Sequence, residues 1–184
     1  TSENVLAGAT MSRRAMYMYG TQLERSPKGH VGSGLGKSPA SGSPGISEPT
    51  RIIESTGERH TIDGVEFVFQ NAAGSEAPAE LTFYLPDKKA FCGAEVVSRN
   101  MHNLYTLRGA KVRDAYLWSQ YIDDAIGMFP ETEVYFASHH WPMWGNADII
   151  DFLKKQRDGY RYIHDQTLRM ASQGYTPREI AEEI

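Results

Sequence analysis

Apolar residues recur along the chain at two spacings, and the change between them divides the sequence into segments. Residues 2–19 carry apolar side chains at roughly helical spacing and are followed by Gly20, which predicts an amphipathic helix with a glycine C-cap. Residues 22–50 are rich in glycine, serine and proline and have too few apolar residues for a core layer. A loop of this length is usually either a lid at a functional site or a linker, and both interpretations remain open.

The middle of the chain has the alternating or continuous apolar runs that are typical of β-strands. We predict strands at 51–54, 65–69, 80–85 and 90–94, the last two joined by a hairpin turn at 86–89. Short connections between successive strands favour antiparallel pairing in a meander.

Helical spacing returns in the last part of the chain. It predicts a helix at about 112–128, a short strand at 133–137 and a long helix at about 147–172. The run Thr176-Pro177-Arg178-Glu179 is a capping box with proline at the first helical position, so a further helix should begin at 177. This order of strands and helices predicts an α/β chain with helices on one face of a sheet.

Composition narrows the range of functions. The chain has 184 residues, 40% of them hydrophobic, which suffices for one core or for most of one and part of a second. A net charge of −4 and the acidic end of the chain argue against nucleic-acid binding. We predict no membrane span, because no run approaches about 18 apolar residues. The single Cys92 excludes an intrachain disulfide and leaves the cellular compartment undetermined.

Three groups of polar residues are candidates for a metal site. His139 and His140 directly follow the predicted strand at 133–137, and neutral imidazole is a common zinc ligand. Glu76 lies between two predicted strands, and Glu95 closes the strand at 90–94, where a carboxylate is costly unless it is solvated, paired or metal-bound. The residues alone are also compatible with surface acids, and a pair of histidines at a strand end is more often packed or exposed than bound to a metal.

Five longer runs carry a resemblance to a known family. They are Met16-Tyr17-Met18-Tyr19-Gly20, Ser75-Glu76-Ala77-Pro78-Ala79-Glu80, the stretch 101–110 (MHNLYTLRGA), Ala137-Ser138-His139-His140-Trp141-Pro142, and the stretch 162–169 (YIHDQTLR). Together they resemble the alkylsulfatases of the metallo-β-lactamase superfamily, which hydrolyse dodecyl sulfate and related esters to alcohol and sulfate. The resemblance extends over essentially the whole chain.

The resemblance implies a site with two Zn²⁺ ions. Glu95 would be a carboxylate that bridges both ions, Glu76 a ligand to one of them, and His139, in preference to the alternative His140, the late histidine ligand. His140 would lie next to the metal ligands and contact the substrate. Arg108 would bind the sulfate group of the substrate and take part in catalysis, since a guanidinium fork suits a tetrahedral oxyanion. An ordinary surface arginine remains the alternative.

The superfamily's first ligand cluster, HxHxDH, does not occur in this sequence. The chain also starts without a methionine and ends inside a predicted helix, so we expect a piece of a larger enzyme that binds zinc weakly and is inactive alone. The resemblance implies the C-terminal half of a metallo-β-lactamase αββα sandwich in residues 1–145. Residues 146–184 would begin an all-helical dimerisation domain, which implies a homodimer.

Two other functions remain open. A different hydrolase of the superfamily, such as a phosphodiesterase or lactonase, would share the metal ligands but not the run around Arg108. A non-catalytic helical interaction module would explain the missing ligand cluster. The residues do not decide which ester bond breaks or which alkyl chain length is preferred.

Overall fold

The computed structural model describes residues 47–105 and 111–184. Within these residues six strands form one sheet in chain order: β1 (Arg59–Ile62), β2 (Val65–Asn71), β3 (Leu81–Leu85), β4 (Ala90–Cys92), β5 (Val134–Phe136) and β6 (Met143–Trp144). The helices are α1 (Ala115–Met128), α2 (Asn146–Ser172) and α3 (Pro177–Glu183), together with a 3-10 turn at Pro86–Lys88. The predicted α/β class is therefore confirmed.

The first predicted strand, at 51–54, is wrong. The Glu58 carboxylate accepts hydrogen bonds from the backbone N–H groups of Glu54 (2.7 Å) and Ser55 (2.6 Å) and so folds this segment into a turn. The chain enters the sheet only at Arg59, and β1 pairs with β2 around a turn at Asp63 and Gly64, both with positive φ. Positive φ at both positions is typical of a tight hairpin turn, because a turn of this kind has a twist that matches the twist of the two strands.

The other predicted strands are confirmed with small shifts of their ends. β1 to β4 pair antiparallel, as the short connections predicted. β5 then lies parallel to β4, because α1 crosses over between them. β6 was not predicted, since two residues after Pro142 are too few to show alternation.

The predicted helix at about 112–128 is confirmed as α1. It begins after Asp114, whose side chain accepts a hydrogen bond from Leu117 N at 3.0 Å. Such a cap satisfies an N–H group that has no partner within the helix. The buried apolar side chains of α1 recur three or four residues apart and belong to the hydrophobic core: Ala115, Trp118, Ile122 and Ala125.

The long helix and the capped helix are also confirmed, as α2 and α3. α2 contributes Ile149, Leu153 and Tyr160 to the core, and the Tyr160 ring stacks on Trp118 at 4.5 Å between centroids. The predicted capping box of α3 is present, with Thr176 and Glu179 bonding each other's backbone N–H. The helices share this core with one face of the sheet, represented by Val68, Tyr84, Phe91 and Tyr135.

Residues Ile53–Leu104 and Arg113–Ile184 form one compact unit. None of the helices within the described ranges is long and apolar enough to cross a membrane. The predicted helix at 2–19, most of the loop at 22–50, and Arg108 lie outside the described residues. The division into domains at 145/146 stays a prediction.

Candidate metal centre

Glu76 lies in the compact turn that joins β2 to β3. Backbone hydrogen bonds close this turn, from Ala72 N to Glu80 O at 2.9 Å and from Gly74 N to Ala77 O at 2.9 Å. Buried Ser75 adds a hydroxyl hydrogen bond to Ala72 O at 2.6 Å. The carboxylate of Glu76 is only 9% exposed and is therefore held at one position.

Glu95 lies in a second turn, directly after β4. The turn begins at Gly93, whose N–H donates to Phe136 O on β5 at 2.8 Å. A Cβ atom at Gly93 would lie 2.7 Å from Val97 O and 2.9 Å from Tyr135 Cε2, so only glycine fits there. The next residue, Ala94, has a φ of 47°, and such strained backbone is often found at functional sites.

His139 follows β5 and reaches Glu95. Its Nε2 atom lies 2.9 Å from Glu95 Oε1, and Ser138 N donates to Ala94 O at 3.0 Å. The two loops are thus joined through both backbone and side chains. His140, with a φ of 69°, is exposed and does not join this group.

A third loop supplies a histidine that the sequence analysis did not single out. Ligand atoms of His102, Glu76 and Glu95 all lie within 4.8 Å of one another. His102 Nδ1 is 3.0 Å from Asn103 O, which can only accept, so Nδ1 carries a hydrogen in this contact. In the neutral ring Nε2 then keeps its lone pair, the form in which histidine binds a metal.

The sequence did not mark His102 as a candidate ligand, because its loop contains no helix or strand. No hydrophobic period marked a side chain there as directed inward. Its place in the MHNLYTLRGA run, one of the five that carry the family resemblance, was the only signal for it.

The pKa of Glu80 shows that the carboxylates at this site lie close together. Burial, and after it the neighbouring carboxylates of Glu76 and Glu95, raise the pKa of Glu80 to about 8, whereas Arg113 acts in the opposite direction. Neighbouring negative charges in a partly desolvated space disfavour the ionised form of the Glu80 carboxyl group. A bound cation would relieve this repulsion, and carboxylate oxygens with imidazole nitrogens are a donor set that Zn²⁺ accepts.

The structure thus brings together two of the three predicted ligands, Glu76 and Glu95, and places His139 against Glu95. It adds His102 and, beside Glu76, the guanidinium of Arg113. These side chains come from separate loops at one end of the sheet, and the carboxylates and imidazoles among them form a group of oxygen and nitrogen donors.

Comparison with known proteins gives a consistent result. The chain is 50% identical over 184 residues to a linear primary-alkylsulfatase of Pseudomonas sp., covering 100% of the chain and 27% of that protein. It is 51% identical over 184 residues to the alkyl/aryl-sulfatase BDS1 of Saccharomyces cerevisiae, covering 28% of that protein. The chain therefore spans a little over a quarter of the length of these relatives.

Among solved structures, the stereoselective inverting sec-alkylsulfatase Pisa1 of Pseudomonas sp. matches with a TM-score of 0.84 and 41% identity, over 100% of this chain and 29% of that one. A metallo-β-lactamase from Pontibacter korlensis reaches a TM-score of only 0.43 at 19% identity, which is too low to bear on function. No protein-family model matches the chain. The similarity over the full chain shows that this protein is a homologue of these alkylsulfatases and corresponds to a little over a quarter of their length.

Proposed function

We propose that this chain is part of an enzyme that hydrolyses alkyl sulfate esters, such as dodecyl sulfate, to an alcohol and sulfate with the help of zinc. The observation that carries the proposal is the convergence of Glu76, Glu95 and His102 from three loops to within 4.8 Å. The relatives named as alkylsulfatases support the reaction class.

The proposed metal ligands of this chain are Glu76, Glu95 and His139, with His102 as a further nitrogen donor. The complete site would hold two Zn²⁺ ions, and Glu95 would be one of the residues that hold them. When bound, zinc supplies Lewis-acid chemistry and lowers the pKa of water at the site towards neutrality. The protein holds the side chains of these ligands in fixed orientations.

Two further residues are proposed to contact the substrate. Arg108 would bind the sulfate oxygens through its guanidinium fork, and His140, exposed directly after His139, would lie at the edge of the substrate site. Neither role makes use of the ligand atoms of Glu76 and Glu95. Replacing Arg108 should therefore weaken sulfate ester turnover while zinc content is retained.

The test compares zinc content and dodecyl sulfate turnover in the full-length protein and in its Glu95→Ala variant. We expect Glu95→Ala to lose zinc and turnover together, since it removes a central donor. Glu131→Ala is the matched control, because Glu131 is 73% exposed and, within residues 47–105 and 111–184, forms its ion pair with Lys89 alone. Unchanged zinc content and activity in Glu95→Ala would remove Glu95 from the site.

The same assay separates the alternative functions. Hydrolysis of phosphodiesters or lactones, with no turnover of alkyl sulfates, would favour another hydrolase of the superfamily. Absence of both zinc and turnover in the full-length protein would favour an interaction module. For the 184-residue chain alone we expect weak zinc binding and no turnover, and measurable sulfatase activity of this chain would contradict that expectation.

A further inference from the structure

Arg113 is bound to the metal-site loop more extensively than an ordinary ion pair requires. Its Nη2 donates to Glu76 Oε1 and its Nε to the backbone carbonyl of the same residue. Its Nη1 donates to Asn103 Oδ1 at 2.7 Å and to Asn103 O at 3.2 Å. One guanidinium therefore binds two separate loops.

Burial distinguishes this pair from the other ion pairs with arginine. The side chains of Arg113 and Glu76 are each 9% exposed, whereas the arginines of the pairs on α2 and α3 are 30% exposed or more. A buried, bidentate arginine is held in one geometry, and losing it leaves its carboxylate without its partner. The backbone of Arg113 is itself fixed, because its N–H donates to Leu104 O at 2.9 Å.

The second loop held by Arg113 carries the histidine of the candidate site. Asn103 O accepts from Arg113 Nη1 and also faces His102 Nδ1 at 3.0 Å. By holding Asn103 O, Arg113 therefore also helps to orient the His102 ring. The Nε2 atom of that ring lies 3.9 Å from Glu76 Oε1. Partners of this kind, which orient metal ligands without touching the metal, commonly change metal affinity by about 10–100-fold.

We propose that Arg113 is a positioning residue that holds Glu76 and His102 in the geometry needed for zinc binding. The inference rests on the proposed zinc site. A guanidinium beside a cation site has two opposed effects, since its charge repels the cation while its hydrogen bonds orient the ligands. At Arg113, the orientation of the ligands outweighs the repulsion of the cation.

Arg113→Lys separates the two effects, because it keeps the charge and loses the fork. Zinc affinity of the chain is measured by chelator competition, with thermal unfolding recorded in parallel. We expect Arg113→Lys to bind zinc about tenfold more weakly than the wild type. Arg113→Met should be weakened as well, despite the loss of a positive charge. Arg157→Met is the matched control, since Arg157 pairs with Asp123 and Asp158 on the helices, and its zinc affinity should equal that of the wild type.

Asn103→Ala keeps the experiment decisive if the Arg113 variants fail to fold. It removes one anchor of the guanidinium and leaves the contact with Glu76, so we expect a smaller loss of affinity, of a few-fold, in the same direction. Wild-type affinity in Arg113→Lys, or tighter binding in Arg113→Met, would overturn the inference and leave the zinc site standing. If the wild-type chain and Glu95→Ala bind zinc equally, the proposed site itself fails in this chain, and the inference fails with it.

Discussion

At the scale of single residues, the candidate site depends on a position where no side chain fits. Gly93 begins the turn that presents Glu95, and a Cβ atom added there would lie too close to both Val97 and the buried Tyr135 ring. The contact at 2.7 Å is with a backbone oxygen, which cannot move away as the end of a flexible side chain could. The identity of one residue thus controls where the carboxylate of Glu95 lies.

Gly93→Ala should therefore displace the Glu95 turn. We expect it to lower the free energy of unfolding by about 1–3 kcal/mol, as overpacking does, and to weaken zinc binding. Chemical denaturation and chelator competition measure the two effects. Gly127→Ala is the control: this glycine is in α1 with open space around it, so alanine should leave stability unchanged or raise it by up to about 1 kcal/mol. Wild-type stability of Gly93→Ala would show that the turn adapts.

At the scale of elements, one tryptophan connects the site loop to both long helices. Trp118 on α1 is fully buried, stacks on Tyr160 of α2, and donates its Nε1 hydrogen to Val96 O, next to Glu95. Tyr160 in turn accepts a hydrogen bond from His102 N at 3.0 Å. Side chains of the two helices thus form hydrogen bonds with the backbone of both the Glu95 loop and the His102 loop.

Trp118→Phe retains an aromatic ring but loses the hydrogen bond to Val96 O. Because a buried carbonyl without a partner costs about 1–3 kcal/mol, we expect a decrease of that size in the free energy of unfolding. Trp141→Phe should change it by less than about 0.5 kcal/mol, since Trp141 is 82% exposed. Equal stability of the two variants in urea denaturation would contradict the supporting role of Trp118.

At the scale of the whole molecule, the helical region carries exposed apolar side chains. Tyr162 and Leu168 on α2 are 53% and 57% exposed, and Tyr175, between α2 and α3, is 44% exposed. We propose that the full-length protein is a homodimer through this region, as the family resemblance implies, because association would remove these side chains from water.

Leu168→Glu places a charge on this surface and should shift the full-length protein from dimer to monomer. Light scattering after size-exclusion chromatography measures the mass directly. Gln120→Glu adds the same charge at an exposed position of α1 and should leave the mass unchanged. If the Leu168→Glu variant is still a dimer, the interface does not include this surface.

The elements of the fold were largely predictable because their causes are local. The capping box at Thr176, the turn at 86–89 and the apolar spacing of α1 and α2 all act over a few residues. The failure at 51–54 also has a local cause: Glu58 binds the backbone of Glu54 and Ser55. Two isoleucines between Arg51 and Glu54 resemble the start of a strand, but a carboxylate four positions after Glu54 folds the segment into a turn.

By itself, the sequence determined the α/β class, most helices and strands, and the chemical types present near the site. Glu76 and Glu95 could be singled out because they occupy turns or strand ends, where a charge needs a partner. Only the tertiary structure brought Glu76, Glu95, His102 and Arg113 together, since they lie on separate loops whose approach depends on strand pairing and on helices packed behind them. Periodicity describes which face a residue occupies, whereas contacts between distant loops depend on how whole elements pack.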